Sequence, residues 1–228
     1  MHTGPLGVIS WTLGSVLVEL WEDGIFEGTP EGRRQQLWEH ISIEYSALGS
    51  SNRLTELPIS LFYHGPNSYA AFTGKAGEAI SLTFVLLEVC TEFNNGSPRD
   101  RHRLAVLDSL CRMMTLFRSS GNVLTTEAAD TVLDLYDRFL VHYNWLASFS
   151  AESDRMLYNL VTKHHSGWHI AYHARFLNPR VTWCMEFEDV VGTCIKCAKA
   201  CMAGTPLHNV GRKVLENYRL VLMPRFRK

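Results

Sequence analysis

Between residues 70 and 152 the apolar positions recur at three- and four-residue spacing, broken by short polar turns. That rhythm constrains the fold more than any other feature, because it fits amphipathic helices and little else. Ala76, Ile80, Phe84, Leu87 and Thr91 fall on one predicted face, and Asn94-Asn95-Gly96 ends the segment. Ser97-Pro98 then supplies a helix start: Ser97 as cap, and Pro98 where a missing N–H costs nothing. Leu104, Leu107, Leu110, Cys111, Met114 and Phe117 follow at helical spacing up to Gly121. Thr125 or Thr126 opens a third helix, with Glu127 and Asp130 near its start and Val132, Leu133, Tyr136, Leu140, Tyr143 and Ala147 as its apolar side. Connections of a few residues force such helices into an antiparallel bundle.

The flanking regions are less regular. Residues 4–20 carry one charge, Glu19, among apolar, Gly, Ser and Thr residues. The run is too short and too polar for a membrane span and lacks the basic residues of a secretory leader, so a buried strand or helix is expected. Thr29-Pro30-Glu31 reads as a helix start, and Leu37, Ile41, Tyr45 and Leu48 keep helical spacing. Leu57, Ile59, Leu61 and Tyr63 alternate, which suits a short strand, with Pro58 restricting it to an edge. After Ser153 the positions Met156, Leu157, Leu160 and Val161 suggest a helix interrupted at Ser166-Gly167. Asn178-Pro179 forces a break. Met185–Met202 and Leu207–Leu222 read as two further helices. The expected architecture is a mainly α antiparallel helical bundle with an irregular or partly extended N-terminal segment. Residues 1–69 form the mixed part, packing on a helical domain of residues 70–228.

Charge divides the chain unevenly. Residues 155–228 hold 12 Lys+Arg against 4 Asp+Glu, a net of +8, while the preceding residues hold 10 against 19, a net of −9. Four of the six cysteines and five of the ten histidines lie in this basic C-terminal third. A basic segment rich in Cys and His suggests polyanion binding or a metal. Mutual attraction of the acidic and basic parts within one fold explains it as simply. Hydrophobic content of 46% and charged content of 20% are those of a globular chain. The cysteines are unevenly spaced, which argues for reduced thiols and an intracellular setting, cytoplasmic or nuclear. The sequence carries no signal for oligomeric state.

Three constellations carry the chemistry. Cys194-Ile195-Lys196-Cys197 is a CxxC with Cys201 one helical turn beyond, and His165, His169 and His173 form a stripe at four-residue spacing. His169, His173, Cys194 and Cys197 could together enclose zinc. The opposing expectation is that the cysteines pack as small hydrophobes on the side of Phe187, Val191 and Ala198. Trp168, Tyr172 and Phe176 also keep helical spacing. Their planes could stack on bases while Lys163, Arg175 and Arg180 hold phosphates, although large aromatics more often anchor a core. Arg212, Lys213, Arg225, Arg227 and Lys228 extend the basic set to the C-terminus. Arg99, Arg101 and Arg103, at the start of the second bundle helix, could line an anion site or lie solvated. No GxGxxG, HExxH or GxSxG occurs, and Gly74-Lys75 lacks the earlier glycine of a phosphate loop.

These patterns point first to a non-catalytic helical binding module whose basic C-terminal third meets nucleic acid or an acidic protein surface, with no bound cofactor and no membrane. A metal-dependent or Cys/His hydrolase built on His169, His173, Cys194 and Cys197, with Glu186 as an acid, is the enzymatic alternative. A fragment of a larger protein without independent activity is the third.

Overall fold

The computed structural model describes residues 7–50, 52–182, 195, 198–202 and 204–222, with backbone alone at 207 and 218–222. Six helices occupy the first described part: α1 (Ile9–Glu22), α2 (Pro30–Ala47), α3 (Ala76–Glu92), α4 (Pro98–Ser119), α5 (Thr126–Glu152) and α6 (Thr162–His173). No strand occurs among the described residues. The protein is the mainly α bundle that its spacing predicts. Contacts divide the chain into two compact units, residues 1–182 and 183–228. In the second, α7 (Leu207–Leu222) has the predicted bounds and follows Gly204, which adopts φ +69°.

The caps are those the sequence advertises. Thr29 accepts from the Gly32 amide, Ser97 from Asp100 and Thr125 from Ala128, each with its side-chain oxygen. Each bond satisfies an amide that the helix geometry leaves without a partner. The alternation at 57–63 does not make a strand. Pro58 instead leads into a 3-10 turn at Ile59–Leu61, because proline fixes φ and donates nothing to a ladder. Irregular backbone in the first unit is concentrated in residues 48–75 and 153–161.

α1 is the core helix. Ile9, Leu13, Val16, Leu17 and Leu20 are buried, and so are Ser10, Thr12, Ser15 and Glu19 on its other sides. A helix enclosed on all sides needs neighbours all round. Helices α2 and α3 supply two of them, α4 reaches α1 through Arg103, and irregular chain adds further cover. Phe72 donates its amide to Ser10 O (2.9 Å), and Ser10 Oγ donates to Phe72 O. Tyr158 donates its amide to Ser15 Oγ (2.7 Å). At Gly14 the backbone of Ala71 comes so close that a Cβ would sit 2.4 Å from Ala71 Cα.

Two buried faces are wider than expected. α3 buries Ala76 and Ile80 of the predicted stripe together with Ala79, Leu82, Thr83, Val85, Leu86, Val89 and Cys90, whereas Thr91 is exposed. It packs against α1, α2 and α4, so a single stripe could not serve all three. α5 buries Ala129, Leu135, Phe139 and Leu146 beside the expected Val132, Tyr136 and Tyr143. The segment after Ser153 is not a helix. It turns through Asp154 and Tyr158 at φ 52° and 53°, left-handed values that non-glycine residues rarely adopt. Helix α6 starts at Thr162 and runs through Ser166-Gly167 without interruption.

Candidate functional site

A cluster of charges at the junction of α1 and α4 is centred on buried side chains. Arg103, 1% exposed, donates to Asp100 one turn earlier on α4 and to Glu19 on α1 (3.4 Å). Tyr158 Oη donates to the same Glu19 oxygen (2.6 Å). Burial raises the Glu19 pKa, and Arg103 and Tyr158 pull against that rise. At the rim, Arg99 pairs with Asp23 (2.8 Å), and Arg155 bridges Asp23 (3.1 Å) and Glu22 (2.9 Å). Arg101 donates to Gly96 O (2.9 Å). The three arginines at the start of α4 are therefore spent on internal partners rather than gathered as an anion site. A shallow cleft of about 400 Å³ beside residues 154–160 is lined by Tyr69, Ser148, Asp154, Tyr158 and Asn159 among others. No hydrogen-bonded nucleophile–base pair lies among those five.

Histidines form two close pairs. His102 on α4 and His142 on α5 approach through their Nδ1 atoms (2.9 Å), with Trp145 stacked on His102 at 4.0 Å. On α6, His165 and His169 approach through their Nε2 atoms (3.0 Å). His164 points inward and packs on Tyr143 (4.5 Å). Burial lowers the pKa of His102, His142 and His164. A lowered folded value means that the unfolded chain binds more protons below its own value of about 6.5. Stability should therefore be fully present above that pH and be lost as pH falls through the folded values. Thermal melts from pH 7.5 to 5 should show a falling melting temperature. His164→Leu, which removes the most enclosed of the three, should flatten the decline.

α6 places the exposed aromatic chemistry. Its inward side is made of Gly167, Ala171, Ala174 and His164, and these small residues bring it close against α5. A Cβ on Gly167 would lie 1.9 Å from Tyr136 Oη, which itself donates to His164 O (2.9 Å). With the small side turned inward, the large side faces out. Tyr172 is 38% and Phe176, just beyond the helix, 67% exposed, so these aromatics are not the core anchors that size alone suggests. Trp168 and Tyr172 stack at 5.4 Å and 13°, and the Arg175 guanidinium lies 4.6 Å from the Tyr172 ring centre. His173 and Phe176 continue the array at 6.0 Å. Lys163 is exposed on the same helix. Arg180 lies on the following 3-10 turn (Pro179–Thr182) and is anchored by donating to Arg118 O (2.7 Å). Asn178 fixes this end by donating to Phe117 O and Gly121 O (2.9 and 2.8 Å). The α5 side is acidic: Asp137 accepts from Trp168 Nε1 (2.9 Å), and Asp130 stands 4.0 Å from Arg175.

Of the remaining expected site residues, some belong to the second unit and others lie outside the described residues. Arg212 and Lys213 are exposed on α7, where Arg212 meets Glu216 (3.7 Å) and Lys213 donates to Thr205 Oγ1 (3.0 Å). Glu186, Cys194, Cys197, Arg225, Arg227 and Lys228 lie outside the described residues. Cys201 is buried, and its sulfur accepts from Asn217 Nδ2 (3.0 Å). His169 stacks on His173 at 6.4 Å, while its Nε2 faces His165 instead. Among the described residues no group of three or more His, Cys, Asp or Glu is arranged around a common metal position. None of the described helices is long and apolar enough to cross a membrane. No family model matches the chain, and no match was found among curated proteins or solved structures.

Proposed function

We propose that the chain is a non-catalytic binding module whose outward α6 face holds single-stranded nucleic acid. The observation that carries this reading is the array of exposed Tyr172, His173 and Phe176 continued by the half-buried Trp168, with Arg175 laid on Tyr172. Every base has a π face, so exposed rings bind unpaired bases with little regard to sequence. Lys163, Arg175 and Arg180 would neutralise phosphates, while Asp130 and Asp137 confine the strand to the side of α6 turned away from α5. A folded duplex offers its bases no such access, which favours the single strand.

Fluorescence anisotropy with a labelled oligonucleotide at low salt tests this directly. Binding is expected in the micromolar range to about 100 µM, weakening with salt by a slope near −0.7 per phosphate contacted. Tyr172→Ala and Phe176→Ala should each lose roughly 1–3 kcal/mol of affinity while leaving the melting temperature unchanged. Lys163→Ala and Arg180→Ala should reduce the salt slope. Binding that ignores salt, or that survives loss of both rings, would overturn the reading. Capture of an acidic peptide with equal affinity would replace nucleic acid by an acidic protein surface.

A further inference from the structure

We infer that His165 and His169 form a chelating site for a late first-row divalent metal, with Ni(II) and Cu(II) the best fit. Two imidazoles four residues apart on one helix face project side by side, and here their Nε2 atoms are 3.0 Å apart. At a metal–nitrogen distance of about 2.0–2.1 Å, that separation subtends about 90–100° at the metal. Such an angle suits neighbouring positions of a square or octahedral centre. Imidazole is a ligand of the right hardness for these ions, and the affinity order of divalent metals rises through nickel to copper.

The pair is built as a bidentate site and not as a closed cage. Both residues are exposed, so the remaining positions stay open to water or to a donor brought by a bound molecule. In the empty pair one Nε2 donates its proton to the other. Coordination needs both lone pairs, so that proton leaves Nε2 while solvent protonates Nδ1 of the same ring. The charge of the pair does not change, and no redox step is involved. His173 stacks on His169 from the side and does not share the 3.0 Å approach. The site therefore differs from a zinc site made of His169, His173, Cys194 and Cys197. It also stands independently of nucleic-acid binding, since it needs neither the exposed Phe176 ring nor a phosphate.

Trp168 provides the readout, because its indole meets the His169 ring at 5.5 Å. Ni(II) added to the full chain should quench tryptophan emission saturably, and Trp168→Phe should remove that component. His165→Ala and His169→Ala should each weaken the quench at least tenfold, and His173→Ala should leave it within twofold. Circular dichroism melts would verify that the exposed variants fold. With Cu(II), electron paramagnetic resonance should show nitrogen hyperfine structure that is lost in either alanine variant. A Trp168 quench that persists in both His165→Ala and His169→Ala, or one that disappears in His173→Ala, would overturn the inference. So would the absence of any Ni(II)-dependent quench of Trp168 in the parent chain.

Discussion

Arg103→Ala should remove a large share of the stability margin of the first unit. The guanidinium is enclosed between Asp100 and Glu19, and its removal strands a carboxylate in the core. Breaking a buried pair in this way costs about 3–5 kcal/mol, against a total of roughly 5–15 kcal/mol for a folded domain. In a unit of this size that is a melting shift of roughly 6–20 °C. The two carboxylates are not equally exposed to the loss. Asp100 still accepts from the Asn95 amide (3.1 Å) near the start of α4, whereas Glu19 keeps Tyr158 as its hydrogen-bond donor. Adding Glu19→Gln to Arg103→Ala should therefore recover part of the lost stability. The deficit of the single variant should also narrow as pH falls from 7 to 5, because the stranded Glu19 takes up a proton more readily than in the unfolded chain. Urea denaturation at both pH values measures each effect. Equal stability of Arg103→Ala and the parent at pH 7 would contradict the buried network.

Gly14→Ala should be the most damaging single-methyl change. The added carbon would lie 2.4 Å from both the Cα and the nitrogen of Ala71, and backbone atoms cannot swing aside as a side chain can. Overpacking typically costs about 1–3 kcal/mol, and a clash with backbone belongs at or above the top of that range. Relief requires residues 70–73 to separate from α1, which would break the paired bonds between Ser10 and Phe72. Gly77→Ala is the control. Its Cβ would meet Asn52 at 3.4 Å in ordinary contact, and alanine favours the helix, so stability should hold or rise slightly. Thermal melts of the two variants, side by side, distinguish a local clash from a general intolerance of substitution.

Local signals made much of this fold legible. Thr29, Ser97 and Thr125 mark helix starts because an N-cap is a property of four adjacent residues, and all three cap as expected. α1 gave no such signal, since a helix enclosed on every side has no polar face to set a period. The buried network was hidden for a different reason. Glu19, Arg103 and Tyr158 are far apart in the chain, and Arg103 stands among Arg99 and Arg101 like another surface arginine. Two aromatics of α6 were misread by size: Tyr172 and Phe176 look like anchors until Gly167, Ala171 and Ala174 are recognised as the inward side, whereas Trp168 is half-buried and tied to Asp137 of α5. That small-residue spacing was present in the sequence and could have identified the outward face. The His165–His169 approach follows from four-residue spacing, but spacing alone did not separate it from His169–His173.

The stitching of Tyr158 to Ser15 and of Arg155 to Glu22 bears on how the chain is made. Synthesis in the N-to-C direction produces α1 before this covering segment, whose bonds to α1 span 133 and 143 residues of chain. At roughly 5–20 residues per second, α1 waits on the order of 10–30 s for that cover. The side of α1 that bears Ser15 and Glu19 lacks this cover throughout that interval, whereas α2 and α3 are made early enough to shield other sides of the helix. A chain halted before residue 158 would carry α1 without its lid, and such truncated products should aggregate even though α2 to α5 are already present.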